Sequence, residues 1–405
     1  MDLRDFILEH ENDDTASLVL HRERWPEIDL ALAAQCIASR RKLRFKVPEW
    51  YALPSVICPL SLSAEQCSSS ATAAYKAGLA SGARAKRIAD LTGGLGVDSW
   101  QFSKQADAVL YNEMNPLLVD AARDNLKALS CSNVEFSSLQ IGAENLPALL
   151  EGFRPDLVFM DPARRGEGGR KVFLPEECTP DVLTLQDIIL DRGIRMLVKL
   201  SPMADISLLL RKFHCVKELH IVEAGGECKE LLLLMEAGFD AEPEMVVTIV
   251  DTADGPRSLR FHPSEEKDAA PLFIASAPEA GQLLFEPGAA LSKSGAFNLI
   301  SKLGKLQKCG PNAHLYCGHS HTAALDPFGK FFEILAVEPF GKASMKDYAK
   351  RWPDAEISAR ALPVSSDNLR VKMKLKGGGD VHIFALGCSC DRLLIATSRL
   401  TRAPR

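Results

Sequence analysis

Apolar positions follow different periods in different parts of this 405-residue chain. From Met1 to about Gly82 they recur near every 3.6 residues, most clearly between Ile28 and Ile37, and this period predicts a helical module. Between Arg84 and Glu236 short apolar runs alternate with helical stretches, which is typical of βαβ units around a parallel sheet. The chain is also longer than one core usually serves, so we expect more than one domain.

The alternating segment contains strand-like runs, and the last two are separated only by Ala224-Gly225-Gly226-Glu227-Cys228. A connection this short and rich in glycine favours an antiparallel hairpin. Five parallel strands followed by that hairpin predict an α/β fold with a Rossmann-like, seven-stranded sheet and an antiparallel last strand, unlike an all-parallel dinucleotide fold. We expect strands at Arg87–Leu91, Ala108–Asn112, Asn133–Ser137, Pro155–Met160, Arg195–Leu200, Lys217–Glu223 and Lys229–Glu236.

The pattern changes again after this segment. Met245–Val250 and Ser258–Phe261 are two further strand-like runs, and the Pro- and Ala-rich stretch Pro263–Pro278 is interpreted as a linker. After Gly341, helical and strand-like runs alternate and predict a small α/β domain. We therefore expect four parts: a helical N-terminal module at 1–82, an α/β domain at 83–262, a linker with an intermediate α/β region at 263–340, and the small domain at 341–405.

Charge is distributed unevenly along the chain. The formal net charge is -5, yet the segment from Gly341 to Arg405 holds 13 Lys and Arg against 6 Asp and Glu, a net charge of +7. Any contact with a polyanion is therefore expected at the C-terminal end. The start, Met1 to Asp5, lacks the basic and apolar stretches of a signal peptide, and the 11 cysteines suit reduced thiols, so we expect a cytoplasmic protein without a membrane span.

The first predicted strand runs into a Gly-rich turn, Asp90-Leu91-Thr92-Gly93-Gly94-Leu95-Gly96, and a helix begins near Val97. Such a turn brings backbone amides to the carboxyl edge of the sheet, where ligands bind. The loop that binds a nicotinamide or flavin nucleotide needs the spacing Gly-x-Gly-x-x-Gly/Ala. Here these three positions hold Gly94, Gly96 and Ser99, so the third has serine in place of glycine or alanine. The acidic Asp90 would oppose a pyrophosphate but suits the ammonium of a methionine moiety, which favours S-adenosylmethionine (SAM) over NAD.

Glu113 ends the second predicted strand, 17 residues after Gly96. A carboxylate at this point can accept hydrogen bonds from both ribose hydroxyls of an adenosine. Taken alone, Glu113 would be a solvated strand end, but together with the Gly-rich loop it becomes a candidate ligand contact. Met114 would then flank the adenine, and Ser138, Gln140 and Glu144 are weaker candidates for the rest of the pocket.

These motifs resemble a known family. Asp-Leu-Thr-Gly-Gly-Leu-Gly-Val-Asp, then Tyr-Asn-Glu, then Val-Phe-Met-Asp-Pro-Ala-Arg-Arg is similar to class I SAM-dependent methyltransferases, over about Arg84 to Glu236. Within them the chain resembles bacterial, RNA-methyltransferase-like proteins with a THUMP-like C-terminal domain, represented here by Arg360–Ser365 and Lys374–Asp380. The resemblance implies SAM as the cofactor, RNA as the partner, a methyltransferase domain at 83–262 and a basic THUMP-like domain at 341–405. It also implies cofactor contacts at Asp90, Gly93, Gly94, Gly96 and Glu113.

Asp161-Pro162 matches the position where many members of this family have Asn/Asp-Pro-Pro-aromatic at the end of the fourth strand. The chain continues with Ala163-Arg164, without the second proline or the aromatic residue, so methylation of a stacked amino group is not established. We expect Asp161, Pro162 and Arg164 to form the catalytic site, with Asp161 orienting or deprotonating an acceptor. Asp161 could instead cap a helix or turn. The basic Gly-rich loop Arg164–Lys171 could clamp a phosphate or carboxylate, or be a solvated lid.

Several other features carry less weight. Cys317-Gly318-His319-Ser320-His321 is metal-like but matches no standard zinc spacing, so we expect no metal there. The end of the fifth strand, Val198-Lys199-Leu200-Ser201-Pro202, has no cysteine, which disfavours covalent base methylation. Thr72, Tyr75 and Lys76 lie just before the first strand and could reach the cofactor, but we expect them to serve helix packing. Two alternatives to RNA methylation remain: a protein or small-molecule methyltransferase, and a SAM- or RNA-binding protein without turnover. The oligomeric state is not predicted.

Overall fold

The computed structural model describes residues 2–163, 176 and 178–400 of the chain. The chain separates into two compact units. The first comprises Met1–Ala224 and Lys229–Pro243, and the second comprises Gly225–Cys228 and Glu244–Arg405.

Helices occupy the start of the first unit, as the 3.6-residue period predicts. Short polar side chains cap several of them: Asp29 accepts a hydrogen bond from the amide of Leu32 at 3.0 Å, and Ser69 accepts one from Thr72 at 3.2 Å. Such caps satisfy amides that have no partner inside a helix. The helices are α1 (Leu3–Glu9), α2 (Thr15–Leu20), α3 (Leu30–Lys46), α4 (Pro48–Tyr51), α5 (Ser61–Gln66) and α6 (Ser70–Gly82), with a 3-10 turn at Arg22–Arg24.

Alternating strands and helices follow in the first unit. The strands are β1 (Arg87–Asp90), β2 (Ala108–Asn112), β3 (Val134–Ser137), β4 (Leu157–Met160), β5 (Arg195–Leu200), β6 (Val216–Ala224) and β7 (Glu227–Met235). The helices are α7 (Val97–Ser103), α8 (Pro116–Ala128), α9 (Leu146–Phe153), α10 (Val182–Leu190) and α11 (Ile206–Lys212). The strands of this unit lie in the order β3-β2-β1-β4-β5-β7-β6.

Strand direction agrees with the prediction. The strands β1 to β5 pair in parallel, whereas β7 runs antiparallel to β5, with Leu197 opposite Leu234. Every residue of β4 is buried, as expected for a strand covered on both faces. The carboxyl ends of the parallel strands therefore meet at one edge, and the chain order reverses between β1 and β4, which is where ligands bind in such sheets.

The second unit begins with the antiparallel strands β8 (Glu244–Ile249) and β9 (Arg257–Phe261). Seven further strands form a sheet in the order β11-β12-β10-β13-β16-β15-β14. They are β10 (Leu283–Pro287), β11 (Gln307–Lys308), β12 (Tyr316–Gly318), β13 (Gly329–Pro339), β14 (Glu356–Arg360), β15 (Val381–Gly387) and β16 (Arg392–Arg399). Because β13 pairs with β16, residues before and after Gly341 share this sheet.

The helices of the second unit are α12 (Pro263–Asp268), α13 (Ala289–Ser294), α14 (Phe297–Gly304), α15 (Lys342–Arg351) and α16 (Ser366–Met373), with a 3-10 helix at Ala323–Phe328. The stretch interpreted as a linker thus begins with α12. Pro263 occupies the first turn of that helix, where its fixed φ and missing N–H are favourable, so here proline starts a helix. Across the described residues, no helix combines the length and the apolar character needed to span a bilayer.

Candidate active site

A cavity of ≈ 750 Å³ lies at the carboxyl edge of the first unit's sheet. The loop after β1 forms one wall, and the residues that follow β2, β3 and β4 form the next. The lining also includes residues 63 and 65–68 of the helical start of the chain, Asp98 of α7 and Lys199 of β5. The predicted residues Thr92, Gly93, Gly94, Glu113, Met114, Asp161 and Pro162 all line this one cavity.

The Gly-rich loop needs glycine for two different reasons. Gly94 and Gly96 have φ values of +53° and +88°, which L side chains rarely adopt. At Gly93 the limit is space, because an added Cβ would lie 2.2 Å from the Tyr111 ring. The Tyr111 hydroxyl donates to the carbonyl of Gly94 at 2.5 Å, so the ring that packs under the loop also holds it in place.

Asp90 and Gly96 lie behind the loop and not on the cavity lining. Asp90 is fully buried and accepts hydrogen bonds from the Ser99 hydroxyl at 2.6 Å and the Thr92 amide at 3.1 Å. Burial raises the pKa of the Asp90 carboxyl to about 8, although the Ser99 hydrogen bond acts in the opposite direction. Asp90 therefore supports the loop from beneath.

Glu113 fixes the loop from the side of β2. One carboxylate oxygen accepts from the Gly94 amide at 3.0 Å and the other from the Asn115 amide at 2.9 Å. The side chain of Met114 next to it is 54% exposed and lines the cavity. A carboxylate held in this way can accept hydrogen bonds from ligand hydroxyls.

Asn112, which the sequence reasoning did not single out, lies behind the cavity wall and supports it. Its side-chain amide donates to the carbonyls of Leu91 at 3.1 Å and Leu139 at 3.0 Å, and its oxygen accepts from the Leu139 amide at 3.0 Å. It thereby ties the loops after β1 and β3 together. Of the weaker candidates in the latter loop, Gln140 lines the cavity, whereas Ser138 and Glu144 do not.

Asp161 follows β4 and is anchored twice. Its amide donates to the Thr92 hydroxyl at 2.6 Å, and its carboxylate contacts the Lys199 ammonium at 2.5 Å. The next residues, Pro162 and Ala163, also line the cavity, and Ala163 forms an antiparallel bridge with Thr179. The third predicted catalytic residue, Arg164, lies outside the described residues, as do Arg165, Arg170 and Lys171.

Lys199 is the second residue that the sequence reasoning missed. It interrupts the apolar run Leu197-Val198-Lys199-Leu200, whose other residues are buried. A lysine buried at such a position requires a carboxylate or another hydrogen-bonding partner. Its presence in this apolar run was therefore the sequence signal that could have indicated a role in the site. Burial acts to lower the pKa of Lys199, but the charges of Asp161, Glu230 and Asp98 outweigh it, so the pKa is raised and the group stays an ammonium.

Lys76 is fully buried, and its role exceeds helix packing. Its ammonium lies 3.0 and 3.2 Å from the two carboxylate oxygens of Glu230, and 3.1 Å from a carboxylate oxygen of Asp98. It also donates to the Ser68 hydroxyl at 2.9 Å, which in turn donates to Asp98 at 2.8 Å. Since Ser68 and Asp98 line the cavity, α6 is tied to the site through this network.

The charges on the cavity lining are predominantly acidic. Among the described lining residues, the carboxylates of Glu65, Asp98, Glu113 and Asp161 accompany a single ammonium, that of Lys199. Opposite charges attract more strongly in a partly buried site than in water. Lys76 and Lys42, which do not line the cavity, offset part of this charge through Asp98 and Glu65, and the negative excess that remains suits a ligand with a positive group.

The Cys317, His319 and His321 side chains make protein contacts in the second unit. Cys317 donates to Gln282 at 3.3 Å, His319 lies 3.2 Å from the Gln282 amide nitrogen, and His321 lies 2.5 Å from Asp326. Within the described part of the chain, no group of three or more His, Cys, Asp or Glu residues is arranged to hold a metal ion.

The sheet order, the Gly-rich loop and the cavity at the switch point define an α/β protein of the Rossmann-like class with a cavity at the carboxyl edge of its sheet. Comparison with solved structures agrees. The crystal structure of a "putative methyltransferase" from Porphyromonas gingivalis W83 is 29% identical and covers 98% of each chain, with a TM-score of 0.83. The chain therefore has a methyltransferase fold.

Two family models match the second unit. Residues 283–324 match a ferredoxin-like domain and residues 329–399 match a THUMP domain-like family, so the expected THUMP-like C-terminal domain is confirmed. More remote structures include cofactor-bound Rv0187 from MTB, with 17% identity, a TM-score of 0.33 and coverage of 55% of this chain and 95% of that one. An rRNA methylase from Streptococcus thermophilus has 18% identity, a TM-score of 0.27 and coverage of 38% and 87%. The search of curated proteins gave no match.

Proposed function

We propose that this protein is a SAM-dependent methyltransferase that acts on RNA. The observation that carries the proposal is the acidic cavity at the carboxyl edge of the sheet, in a chain similar along 98% of its length to a protein described as a "putative methyltransferase". RNA as the substrate rests on the THUMP-like match and on the positive charge of residues 341–405.

The lining residues fit SAM. Glu113, which holds the loop through the Gly94 amide, offers its carboxylate oxygens to ribose hydroxyls. Met114 and Gln140 would border the adenine, while Thr92, Gly94 and the buried Asp90 would hold the loop near the methionine moiety. The acidic lining matches the positive charge of a sulfonium. When bound, SAM supplies an electrophilic methyl group.

The residues after β4 would prepare the acceptor. Methyl transfer needs an acceptor atom held in line and shielded from water, and it requires no acid–base pair. Asp161 would orient an acceptor N–H or O–H and accept its proton, and Pro162 would border the acceptor group. We retain Arg164 in the proposal as a cation for substrate phosphate, on its sequence position alone.

RNA contacts are proposed for the second unit. Its helices α15 and α16, and the chain just after α16, carry exposed lysines at positions 342, 346, 350, 372 and 374. Three neighbouring cations are already paired, namely Arg351 with Asp347, Arg370 with Asp367 and Lys376 with Asp354. The exposed lysines are therefore the candidates for phosphate contacts.

Calorimetry with SAM and with NAD tests the cofactor assignment on the full chain. We expect binding of SAM and none of NAD, and the reverse result would refute the assignment. A labelled-SAM incubation with total RNA then tests the acceptor. Label in RNA, lost in Asp161→Ala and kept in the exposed control Glu151→Ala, would support the proposal, whereas label in protein alone would exclude RNA.

A further inference from the structure

We propose that Lys199 is a positioning residue for Asp161, and that this pair sets the charge of the cavity wall toward a positive ligand group. The proposal rests on the proposed SAM-binding function and deepens it. It concerns a residue that no motif of the sequence pointed to.

The first argument is the contact itself. The Lys199 ammonium and an Asp161 carboxylate oxygen lie 2.5 Å apart, and both residues line the cavity. The Lys199 side chain is only 11% exposed and that of Asp161 31%, so solvent screens this pair less than it screens a surface ion pair. Asp161 is also fixed through its backbone amide by Thr92, so the lysine fixes the remaining freedom, that of the carboxylate.

The second argument is what lies around the lysine. The charges of Glu230 and Asp98, in addition to that of Asp161, stabilise the ammonium form of Lys199. Glu230 and Asp98 also contact Lys76, which is fully buried. Lys199 thus stands in a set of charges contributed by α6, α7, β5 and β7, which gives it one position and leaves it little freedom to follow a ligand.

The third argument is the composition of the wall. Lys199 is the single basic residue among the described lining residues, against four carboxylates. Removing it makes the wall more negative, and removing the charge of Asp161 makes it less negative. The affinity for a ligand with a sulfonium depends on this charge. The same molecule without the methyl group, S-adenosylhomocysteine (SAH), has a neutral sulfur, so its affinity depends on the charge less.

The test is the ratio of the SAM and SAH dissociation constants, measured by calorimetry on the full chain. In Lys199→Met we expect the ratio to shift toward SAM by roughly three- to tenfold, and in Asp161→Asn to shift toward SAH by a similar factor. The double variant removes one charge of each sign, so its ratio should return near the wild-type value. Lys199→Arg keeps the charge and should keep the ratio.

Lys217→Met is the matched control, because Lys217 also pairs with a carboxylate, Glu236 at 2.7 Å, but does not line the cavity. Its ratio should equal that of the wild type. Shifts of the same sign in Lys199→Met and Asp161→Asn, or no shift in either, would overturn the proposal. If the wild type binds neither SAM nor SAH, the proposed function itself fails. If Lys199→Met does not fold, Asp161→Asn and Lys199→Arg still give two different expectations, a shift toward SAH in the first and no shift in the second, and a result that reverses either one would overturn the proposal.

Discussion

Neighbouring glycines in the loop after β1 tolerate a side chain differently. Gly94 has a positive φ, and an added Cβ there would have open space apart from a carbonyl at 4.0 Å. Gly93 lies against the Tyr111 ring, whose hydroxyl is bonded to the loop. A methyl group at Gly93 must therefore displace either the ring or the loop, whereas at Gly94 it only strains the backbone.

Substituting these glycines by alanine should separate the two effects. Gly93→Ala should lower the free energy of unfolding by about 1–3 kcal/mol, as overpacking does, and should weaken SAM binding at least about tenfold because the loop moves. Gly94→Ala should cost about 1 kcal/mol with a smaller loss of affinity. Urea unfolding and calorimetry measure both quantities. Equal losses of affinity would show that space beside Tyr111 does not control the loop.

The raised pKa of Asp90 predicts how stability depends on pH. Its folded-state pKa of about 8 exceeds the usual value of 3.8, so between these values the unfolded chain has lost a proton that the folded chain keeps. Asp90 therefore lowers stability as pH rises through this window, with a slope of at most about 1.4 kcal/mol per pH unit, and has no further effect above it.

Asp90→Asn should remove this part of the pH dependence. Unfolding free energies measured from pH 5 to pH 8 should fall less steeply with pH in the variant than in the wild type. The exposed Asp107→Asn, with its side chain 73% exposed, is the comparison that should leave the slope unchanged. A wild type and an Asp90→Asn variant with the same slope would contradict the buried, protonated carboxyl.

At this scale the sequence predicted the residues with local signals. Glycine spacing indicated the loop and, with it, Glu113, and the motif after β4 indicated Asp161. The structure brings Glu113, Asp161 and the loop to one cavity. Their roles stay predictions. Asn112 and Lys199 could not be predicted in the same way, because their partners lie 21 to 38 residues away in sequence. The burial of Asp90 likewise depends on packing that a strand-end position does not specify.

Among the elements, α6 is joined to β7 by a buried ion pair. Lys76 of α6 contacts Glu230 of β7, and the side chains are 0% and 3% exposed. Removing one partner leaves the other charge buried and uncompensated, which is costly, whereas replacing both by apolar groups avoids that cost.

Lys76→Met should therefore lower the free energy of unfolding by about 3–5 kcal/mol, and the double variant Lys76→Met with Glu230→Leu should recover part of this loss, because Asp98 still lacks its Lys76 partner. Urea unfolding measures both. The control Lys86→Met removes an exposed lysine that is 4.0 Å from Asp107, and it should change stability by less than about 0.5 kcal/mol. A double variant as unstable as Lys76→Met would show that Asp98, and not Glu230, accounts for the cost of losing Lys76.

Strand positions were more predictable than the start of α12. Ala108–Asn112 and Arg195–Leu200 have the predicted bounds, because short, mainly apolar runs between helical stretches mark buried strands clearly. The stretch from Pro263 was interpreted as a linker because proline and alanine are common in it. Its helix depends on Pro263 at the first turn and on Glu265 accepting from the His262 amide at 2.8 Å, which are local cap details.

For the whole molecule, charge of opposite sign is segregated along the chain. Residues 341–405 carry +7, while the remainder carries 35 basic and 47 acidic residues and has a net charge of -12. The family models and the charge together locate the proposed RNA contacts in the second unit, while the cavity lies in the first. Affinity for RNA and affinity for SAM should therefore respond to different substitutions.

Charge reversal of Lys346, Lys350 and Lys372 to Glu should weaken binding of total RNA about tenfold or more at moderate salt, because each lysine that neutralises a phosphate releases a counterion. The salt dependence should also become shallower, and SAM affinity should stay unchanged. Reversal of the exposed lysines 86, 104 and 127 of the first unit is the control. If the control weakens RNA binding as much as the test variant, the second unit is not the RNA surface.

The buried pair of Lys76 and Glu230 also constrains how the sequence can evolve. The two residues are 154 positions apart, and a change at either one alone passes through a destabilised protein. Among relatives with this fold, we expect positions 76 and 230 to change together, either keeping opposite charges or both becoming apolar. Sequence changes in the helical start of the chain and in the last strand of its first unit should therefore be correlated among relatives.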